Sequence, residues 1–119
     1  MKSEEERETQ EAVPALPGLS VLITAGNEED RIRDCLESVR WADEIVLVDS
    51  CSTDRTVEIA RAYTDNIITI PWRGYIAQKQ FALTKAGREW VLFLDADERV
   101  SPELGREIRE TLFGQPVPW

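Results

Sequence analysis

Histidine is missing from this chain of 119 residues, and cysteine occurs only twice, as Cys35 and Cys51. A chain without histidine cannot build a Ser-His-Asp triad, and two isolated cysteines argue against a zinc site. The segment from Met1 to Gln10 is charged and has no apolar stretch of the kind found in secretory signals. We therefore expect a cytosolic protein without a disulfide.

Basic side chains are also in short supply, since 14 lysines and arginines stand against 23 aspartates and glutamates and the net charge is −9. Nucleic-acid binding needs a basic face that displaces counterions, so we expect no nucleic-acid partner. No apolar run approaches the roughly 18 residues that a membrane-spanning helix requires. The Gly-Lys-Thr/Ser, Gly-x-Gly-x-x-Gly and Gly-x-Ser-x-Gly motifs of other nucleotide-binding and hydrolase sites are absent as well.

The composition that is present divides the chain in two. Residues 1–17 are rich in glutamate and close with Pro14 and Pro17, which predicts a disordered acidic leader. Residues 18–119 are predicted to form one domain, because segments typical of strands and of helices alternate from Leu19 onward.

The predicted elements follow from apolar periodicity and from turn residues. Strands are predicted at residues 19–24, 44–49, 66–70 and 90–94. Helices are predicted after Asn27 as N-cap, along Val57, Ala60 and Tyr63, over residues 75–85 with Gly87 as C-terminal cap, and from Ser101-Pro102 onward. The first helix has an apolar stripe at the i, i+3, i+4 and i+7 positions, formed by Ile32, Cys35, Leu36 and Val39.

This alternation predicts an α/β fold, a Rossmann-like three-layer αβα sandwich with a mainly parallel sheet. A Rossmann-like half-sheet has the strand order 3-2-1-4, although other orders stay open. In this order the first and fourth strands are neighbours, and ligands bind beyond the carboxyl ends of the strands. Thr24 and Asp95 would then border the binding crevice, with Asp49 one strand away.

Asp95-Ala96-Asp97 is the strongest chemical signal, because it directly follows an apolar strand. Carboxylate oxygens suit Mg²⁺ or Mn²⁺, ions that keep coordination positions open for phosphate oxygens. If the strand continues, alternation turns both carboxylates to one side, where they could hold a cation against the diphosphate of a nucleotide. The alternative is that both acids only solvate a loop and cap the helix that starts near Pro102.

Four further positions have both a functional and a structural interpretation. Asp49 could accept a hydrogen bond from a base N–H, or form an Asx-turn at the end of its strand. Lys79 could meet a phosphate, or lie on a solvated helix face. Trp72 and Tyr75 could stack on a sugar or base, or cover the edge of the core.

Three segments at these spacings resemble family 2 glycosyltransferases, which adopt the GT-A fold. The segments run from Ile23 to Glu29, from Val48 to Thr56 and from Phe93 to Glu98. The segments 36–39 and 74–80 are similar to those of bacterial lipopolysaccharide-core glucosyltransferases. The resemblance covers about residues 19–105.

The resemblance implies a partial GT-A nucleotide-sugar-binding domain whose donor is a UDP-sugar. The implied nucleotide-binding residues are Thr24, Asn27, Glu28, Asp49, Lys79 and Asp95. By the same resemblance Asp49 would contact the base, and Asp95 the ribose or a metal-bound water. Asp97, with Asp95 as the second metal residue, would hold the Mg²⁺ or Mn²⁺ that bridges the diphosphate.

The chain departs from the family at Gly26, Cys51 and its end. Many relatives carry a larger side chain at position 26 and a glycine at position 51. Relatives also continue beyond residue 119, where they carry an acidic general base. We find no such base in this chain, in which Glu103 and Glu107 are candidates to replace it by residue type alone.

We therefore expect a truncated, inverting glycosyltransferase of cell-envelope glycan or lipopolysaccharide synthesis, reduced to its donor-binding portion and inactive alone. Its acceptor would be a lipid-linked molecule or a glycan, and it would lie in the cytoplasm at the inner face of the membrane.

Two other functions stay open. A receiver-like signalling domain also places aspartates around Mg²⁺, although this first strand ends in Thr24-Ala25-Gly26 where a receiver has an acidic pair. A non-catalytic remnant is the other, since unprotected sheet edges invite pairing with a missing segment or a partner.

Overall fold

The computed structural model describes residues 16–114, in which four strands and four helices alternate. The strands are β1 (Leu16–Ala25), β2 (Glu44–Asp49), β3 (Ile67–Thr69) and β4 (Arg88–Asp95). The helices are α1 (Ile32–Glu37), α2 (Thr56–Ala60), α3 (Tyr75–Thr84) and α4 (Pro102–Phe113).

All strand pairs are parallel, and the sheet has the order β3-β2-β1-β4. The predicted α/β fold and strand order are therefore confirmed. Thr24 pairs with Asp95 across β1 and β4, and Ala25 pairs with Asp49 across β1 and β2. This register brings the carboxyl ends of three strands to the same level.

The two faces of the sheet are covered by different helices, which gives the three predicted layers. On one face Val21 and Ile23 pack in a cluster with the stripe of α1, whose four predicted members are all fully buried. On the other face Leu22, Val46 and Val48 pack with Ala82 of α3. Alternation along β1 sends its side chains to both clusters, as expected for a central strand with both faces covered.

Three predicted boundaries are wrong. β1 begins at Leu16 and not at Leu19, so the predicted end of the leader at residue 17 falls within a strand, while residues 1–15 lie outside the described part. Asn27 is not an N-cap: α1 begins five positions later, and Asn27 adopts a positive φ of 52°. Gly87 is not a helix cap either, because α3 ends at Thr84 and is followed by Lys85.

The last helix begins as predicted. Ser101 is its N-cap, and the Ser101 hydroxyl accepts a hydrogen bond of 3.1 Å from the N–H of Leu104. Pro102 occupies the first turn, where its missing N–H costs nothing. At the other end Gly114 adopts φ 68°, a left-handed conformation that glycine accepts readily.

The sheet has two edges in the described part of the chain, β3 and β4. On β4 the side chains of Trp90, Val91 and Phe93 are exposed. Within residues 16–114, every helix is too short or too polar to cross a membrane.

Candidate functional site

A pocket of about 290 Å³ lies at the carboxyl ends of β1, β2 and β4, where the strand register predicts a binding crevice. Its polar lining includes Thr24 near the end of β1, Glu28 from the connection to α1, Asp95 at the end of β4 and Asp97 just after it. Helix α3 closes one side of it with Gln78.

Two side chains contact the Asp95 carboxylate, which lines this pocket. The Thr24 hydroxyl donates to Oδ1 of Asp95 at 3.4 Å, and Lys79 Nζ lies 3.5 Å from the same oxygen. Because the Asp95 side chain is 46% exposed, this ion pair adds little to stability, about 0–1 kcal/mol. Lys79 and Thr24 place an ammonium group and a hydroxyl group beside the Asp95 carboxylate. Lys79 itself is not among the lining residues.

Asp97 reaches the same pocket by a route that the sequence pattern did not predict. β4 ends at Asp95, and the next residues form a turn in which the Glu98 N–H donates to the Asp95 carbonyl at 2.9 Å. The strand therefore does not continue, and alternation does not explain the shared direction of the two carboxylates. Both nevertheless line the pocket. Asp97 is exposed and has no hydrogen bond or ion pair with any residue in the 16–114 range.

These two carboxylates suit a divalent cation, because hard oxygen ligands are what Mg²⁺ and Mn²⁺ prefer. Within the described residues no three histidine, cysteine, aspartate or glutamate side chains cluster closely enough to hold a metal ion by themselves. Asp95 and Asp97 fit an ion whose remaining ligands come from a bound phosphate group and from water.

Asp49 makes local hydrogen bonds at the end of its strand. It is the last residue of β2, is only 1% exposed, and is not among the residues that line the pocket. Both of its carboxylate oxygens accept hydrogen bonds from Ser52, one from the N–H at 2.8 Å and one from the hydroxyl at 2.5 Å. Ser50, which sequence reasoning did not select, lines the pocket at this strand end.

Asn27 and Glu28, both predicted to line the nucleoside pocket, have different surroundings. Glu28 lines the pocket, and its Oε1 lies 2.8 Å from a guanidinium nitrogen of Arg31. Asn27 lies outside the lining, and its Oδ1 accepts a hydrogen bond of 2.8 Å from the N–H of Thr53. Asn27 therefore ties the first strand–helix connection to the second.

Gln78 is a lining residue that sequence reasoning missed. It is only 2% exposed, and its Oε1 is buried without a hydrogen-bond partner. A buried amide oxygen without a partner costs about 1–3 kcal/mol. A signal was available in the helix pattern, because Gln78 and the apolar Ala82 fall at i and i+4, which puts a polar residue on the buried face of α3.

An aromatic pair stands at the mouth of the pocket. The rings of Trp72 and Tyr75 meet edge to face, with centroids 4.8 Å apart. They are 52% and 71% exposed, so each keeps much of its apolar surface in contact with solvent. Gly74 lies between them with φ 104°, a conformation that side chains rarely adopt, and this turn places both rings beside the pocket.

The two acids named as candidates for a general base lie elsewhere. Glu103 and Glu107 are exposed on α4, and neither lines the pocket. The described residues therefore offer no support for either as a base.

Cys35 lies beside the acidic segment that lines the pocket. Its thiol donates to the Asp95 carbonyl at 3.7 Å. Burial, and after it the negative charges of Glu98, Asp97 and Asp95, raises the pKa of Cys35 to about 12. This thiol is therefore neutral and unreactive at ordinary pH.

A parallel sheet of order 3-2-1-4, with two carboxylates following its outer strand into a pocket, is the arrangement of the nucleotide-binding half of GT-A glycosyltransferases. The chain matches the family described as "Glycosyl transferase family 2" over residues 20–112. It belongs to that family.

Curated relatives share this segment at substantial identity. The chain is 42% identical over 105 residues to the lipopolysaccharide core biosynthesis glycosyltransferase LpsC of Rhizobium meliloti, a match that covers 84% of this chain and 38% of LpsC. It is 45% identical over 91 residues to an uncharacterized glycosyltransferase of Rickettsia bellii, covering 76% of this chain and 31% of that protein. The chain thus spans about a third of the length of these relatives.

Solved structures share the fold. TarS of S. aureus superposes with a TM-score of 0.63 at 28% identity, over 81% of this chain and 32% of that one. Glucosyl-3-phosphoglycerate synthase from Mycobacterium tuberculosis, in complex with UDP, gives a TM-score of 0.58 at 26% identity, over 69% and 34%. The same enzyme with Mn²⁺ and UDP-glucose gives 0.64 at 24% identity, over 97% and 45%, which shows the fold alone.

The receiver-like alternative is inconsistent with these findings. Receivers of the flavodoxin-like type have the strand order 2-1-3-4-5, whereas the order here is β3-β2-β1-β4. The family match points the same way.

Proposed function

We propose that this chain binds the donor of an inverting glycosyltransferase, a UDP-sugar, together with Mg²⁺ or Mn²⁺. The observation that carries the proposal is the pocket at the carboxyl end of the sheet, where Asp97 presents a carboxylate with no partner among residues 16–114 beside the Asp95 carboxylate. A related solved structure, the M. tuberculosis synthase at 26% identity, contains UDP.

The residues that line the pocket offer partners for the base, the ribose and the diphosphate of a nucleotide. Trp72 and Tyr75 offer apolar ring surface against which a base can stack. Thr24 and Asp95 offer a hydroxyl and a carboxylate that can bind ribose hydroxyl groups. Asp97 offers a carboxylate for the cation that a diphosphate requires.

Asp97, with Asp95, would hold the divalent cation. When bound, the ion supplies positive charge that neutralises the departing nucleoside diphosphate. Lys79 supplies a second positive charge, because its ammonium lies 3.5 Å from Asp95 and its flexible stem allows it to turn toward a phosphate. Without these cations, the negative charges of the diphosphate would be repelled by the carboxylates of Asp95 and Asp97.

The acceptor half of the reaction is proposed from the relatives alone. LpsC acts in lipopolysaccharide core biosynthesis, as its name states, and this supports a role in cell-envelope glycan synthesis. We propose a glycan or lipid-linked acceptor and a cytoplasmic location with peripheral contact at the inner face of the membrane. An inverting transfer also needs a general base, and we expect the chain to transfer little or no sugar by itself.

A calorimetric titration of UDP into the chain, with and without Mn²⁺, tests the donor proposal. We expect Mn²⁺ to tighten UDP binding, and Asp97→Ala to remove most of that gain, at least about tenfold in Kd, because a metal-bridged diphosphate depends on this carboxylate. Asp65→Ala is the matched control, since Asp65 is exposed and lies at the opposite end of the sheet.

Equal UDP affinity with and without Mn²⁺ would contradict the proposal. So would an Asp97→Ala chain that binds UDP–Mn²⁺ as tightly as the Asp65→Ala chain.

A further inference from the structure

We propose that Gln78 is a specificity-determining residue of this site, whose amide oxygen accepts a hydrogen bond from an N–H or O–H group of the donor's nucleoside. The proposal rests on the proposed function, because it takes the ligand to be a nucleotide. It assigns a role to a residue that lies next to Lys79 in sequence but differs from it in exposure and in contacts.

The first observation is the unsatisfied state of the side chain. Gln78 is 2% exposed, and its Oε1 has no hydrogen-bond partner. Buried polar side-chain atoms are paired in the large majority of cases, so each exception requires a reason. A binding site supplies one, because the partner arrives with the ligand.

The second observation is position. Gln78 lines the same pocket as Asp95 and Asp97. It follows Tyr75 by one helical turn of α3, so the two residues lie on one face of that helix, and both line the pocket. The amide therefore lies on the side of the pocket that offers ring surface, where a nucleoside binds in the proposed function.

The third observation is that the other candidate acceptor is already engaged. Asp49 was predicted to receive the base N–H, but both of its carboxylate oxygens accept hydrogen bonds from Ser52, and it does not line the pocket. Gln78, in contrast, lines the pocket, and its Oε1 has no partner. A glutamine at this position also carries no charge, so it can approach the nucleoside without repelling the diphosphate.

A substitution that removes only the amide tests the inference. Gln78→Leu should weaken UDP binding in Mn²⁺ by about tenfold, the effect of one hydrogen bond lost in a buried site. Gln80→Leu is the matched control, because Gln80 lies on the same helix but is exposed. Gln78→Met, which keeps the length of the side chain, is the second variant and provides a binding measurement if the leucine variant is unstable.

Two UDP analogues locate the contact. 3-Methyl-UDP lacks the base N–H, and 2′-deoxy-UDP lacks one ribose hydroxyl. The wild-type chain should bind one of them about tenfold more weakly than UDP, and for that analogue Gln78→Leu or Gln78→Met should cause less than a threefold further loss.

Two results would overturn the inference. One is a Gln78→Met or Gln78→Leu chain that binds UDP as tightly as Gln80→Leu. The other is a tenfold loss of equal size for UDP and both analogues, which would place the contact away from both groups. If the wild-type chain does not bind UDP at all, the proposed function fails; if it binds and only the Gln78 variants behave as the control, this inference alone fails.

Discussion

At the scale of single residues, the two cysteines show how strongly surroundings determine chemistry in this chain. Cys35 is fully buried behind the acidic turn, whereas Cys51 is exposed in the β2–α2 connection. Burial, and then the charges of the nearby carboxylates, raises the pKa of Cys35 from 9.0 to about 12. Since the thiolate is the reactive form, accessibility and pKa both protect Cys35.

We expect a thiol-alkylating reagent at pH 8 to label the native chain once, at Cys51, and to label Cys35 only after unfolding. Mass spectrometry of the labelled chain measures this. The Cys51→Ser chain should show no fast labelling. Labelling of Cys35 at the rate of Cys51 under native conditions would contradict the buried placement.

The raised pKa of Cys35 also makes the stability of the fold depend on pH. Between pH 9 and 12 the unfolded thiol loses its proton while the folded thiol keeps it, so rising pH favours the unfolded chain. This loss of stability should be smaller in Cys35→Ala, as measured by urea unfolding at pH 8 and pH 10.

Single residues also show what the sequence could and could not predict about the site. Thr24, Asp49 and Asp95 were predicted to converge, because strand order and register follow from the alternation of elements. Thr24 and Asp95 line the pocket, whereas Asp49 is not among its lining residues. Asp97 lines it too, but through a turn and not through the predicted continuation of the strand. The hydrogen bonds from Ser52 to Asp49 depend on the geometry of the loop, which the sequence does not determine. Both interpretations of Asp49 were therefore open from the sequence. For Gln78 the helix pattern indicates only a polar residue on a buried face, and the absence of a partner for its amide oxygen is visible only in the coordinates.

At the scale of elements, the β1–α1 and β2–α2 connections are tied together at Thr56. The Thr56 hydroxyl, fully buried, accepts a hydrogen bond of 2.9 Å from the Glu28 N–H and donates to Asp54. The hydrogen bond from Thr56 is the main cause of the lowered pKa of the Asp54 carboxyl. This side chain thus holds Glu28, a lining residue, in place from the neighbouring connection.

We expect Thr56→Val to lower the free energy of unfolding by about 1–3 kcal/mol, because valine keeps the shape but leaves the Glu28 N–H without an acceptor. Urea unfolding followed by circular dichroism measures the change. Thr84→Val, at an exposed position near the end of α3, should change stability by less than about 0.5 kcal/mol. Equal losses in both variants would show that Thr56 does not have this structural role.

The same ties explain why element boundaries were predicted less well than element types. Every predicted strand and helix exists, since apolar periodicity determines which segments can be buried. The predicted start of α1 was wrong because the N–H and the side chain of Asn27 bond to Ser52 and Thr53 of the neighbouring connection and not to the helix. Gly87 was predicted to cap α3, but its N–H donates to the side chain of Glu44 on β2. Both errors come from contacts distant in sequence.

At the scale of the whole molecule, one edge of the sheet is uncovered in the part of the chain that the structure describes. β4 is an edge strand there, and Trp90, Val91 and Phe93 on it are exposed. A long edge with apolar side chains is a template for pairing with another strand. The curated relatives are about three times as long as the matched segment, so they contain further chain that could cover such an edge.

We expect the 119-residue chain to self-associate as its concentration rises, through β4, and a lysine on this strand to suppress that association, because charged side chains protect exposed edges. Sedimentation velocity over a hundredfold range of concentration compares the wild type with Val91→Lys. Leu83→Lys is the control, since Leu83 is also an exposed apolar residue but lies on α3. The weight-average mass should fall toward that of the monomer in Val91→Lys alone. A wild-type chain that stays monomeric throughout, or an equal response of the two lysine variants, would mean that the edge of β4 does not drive association.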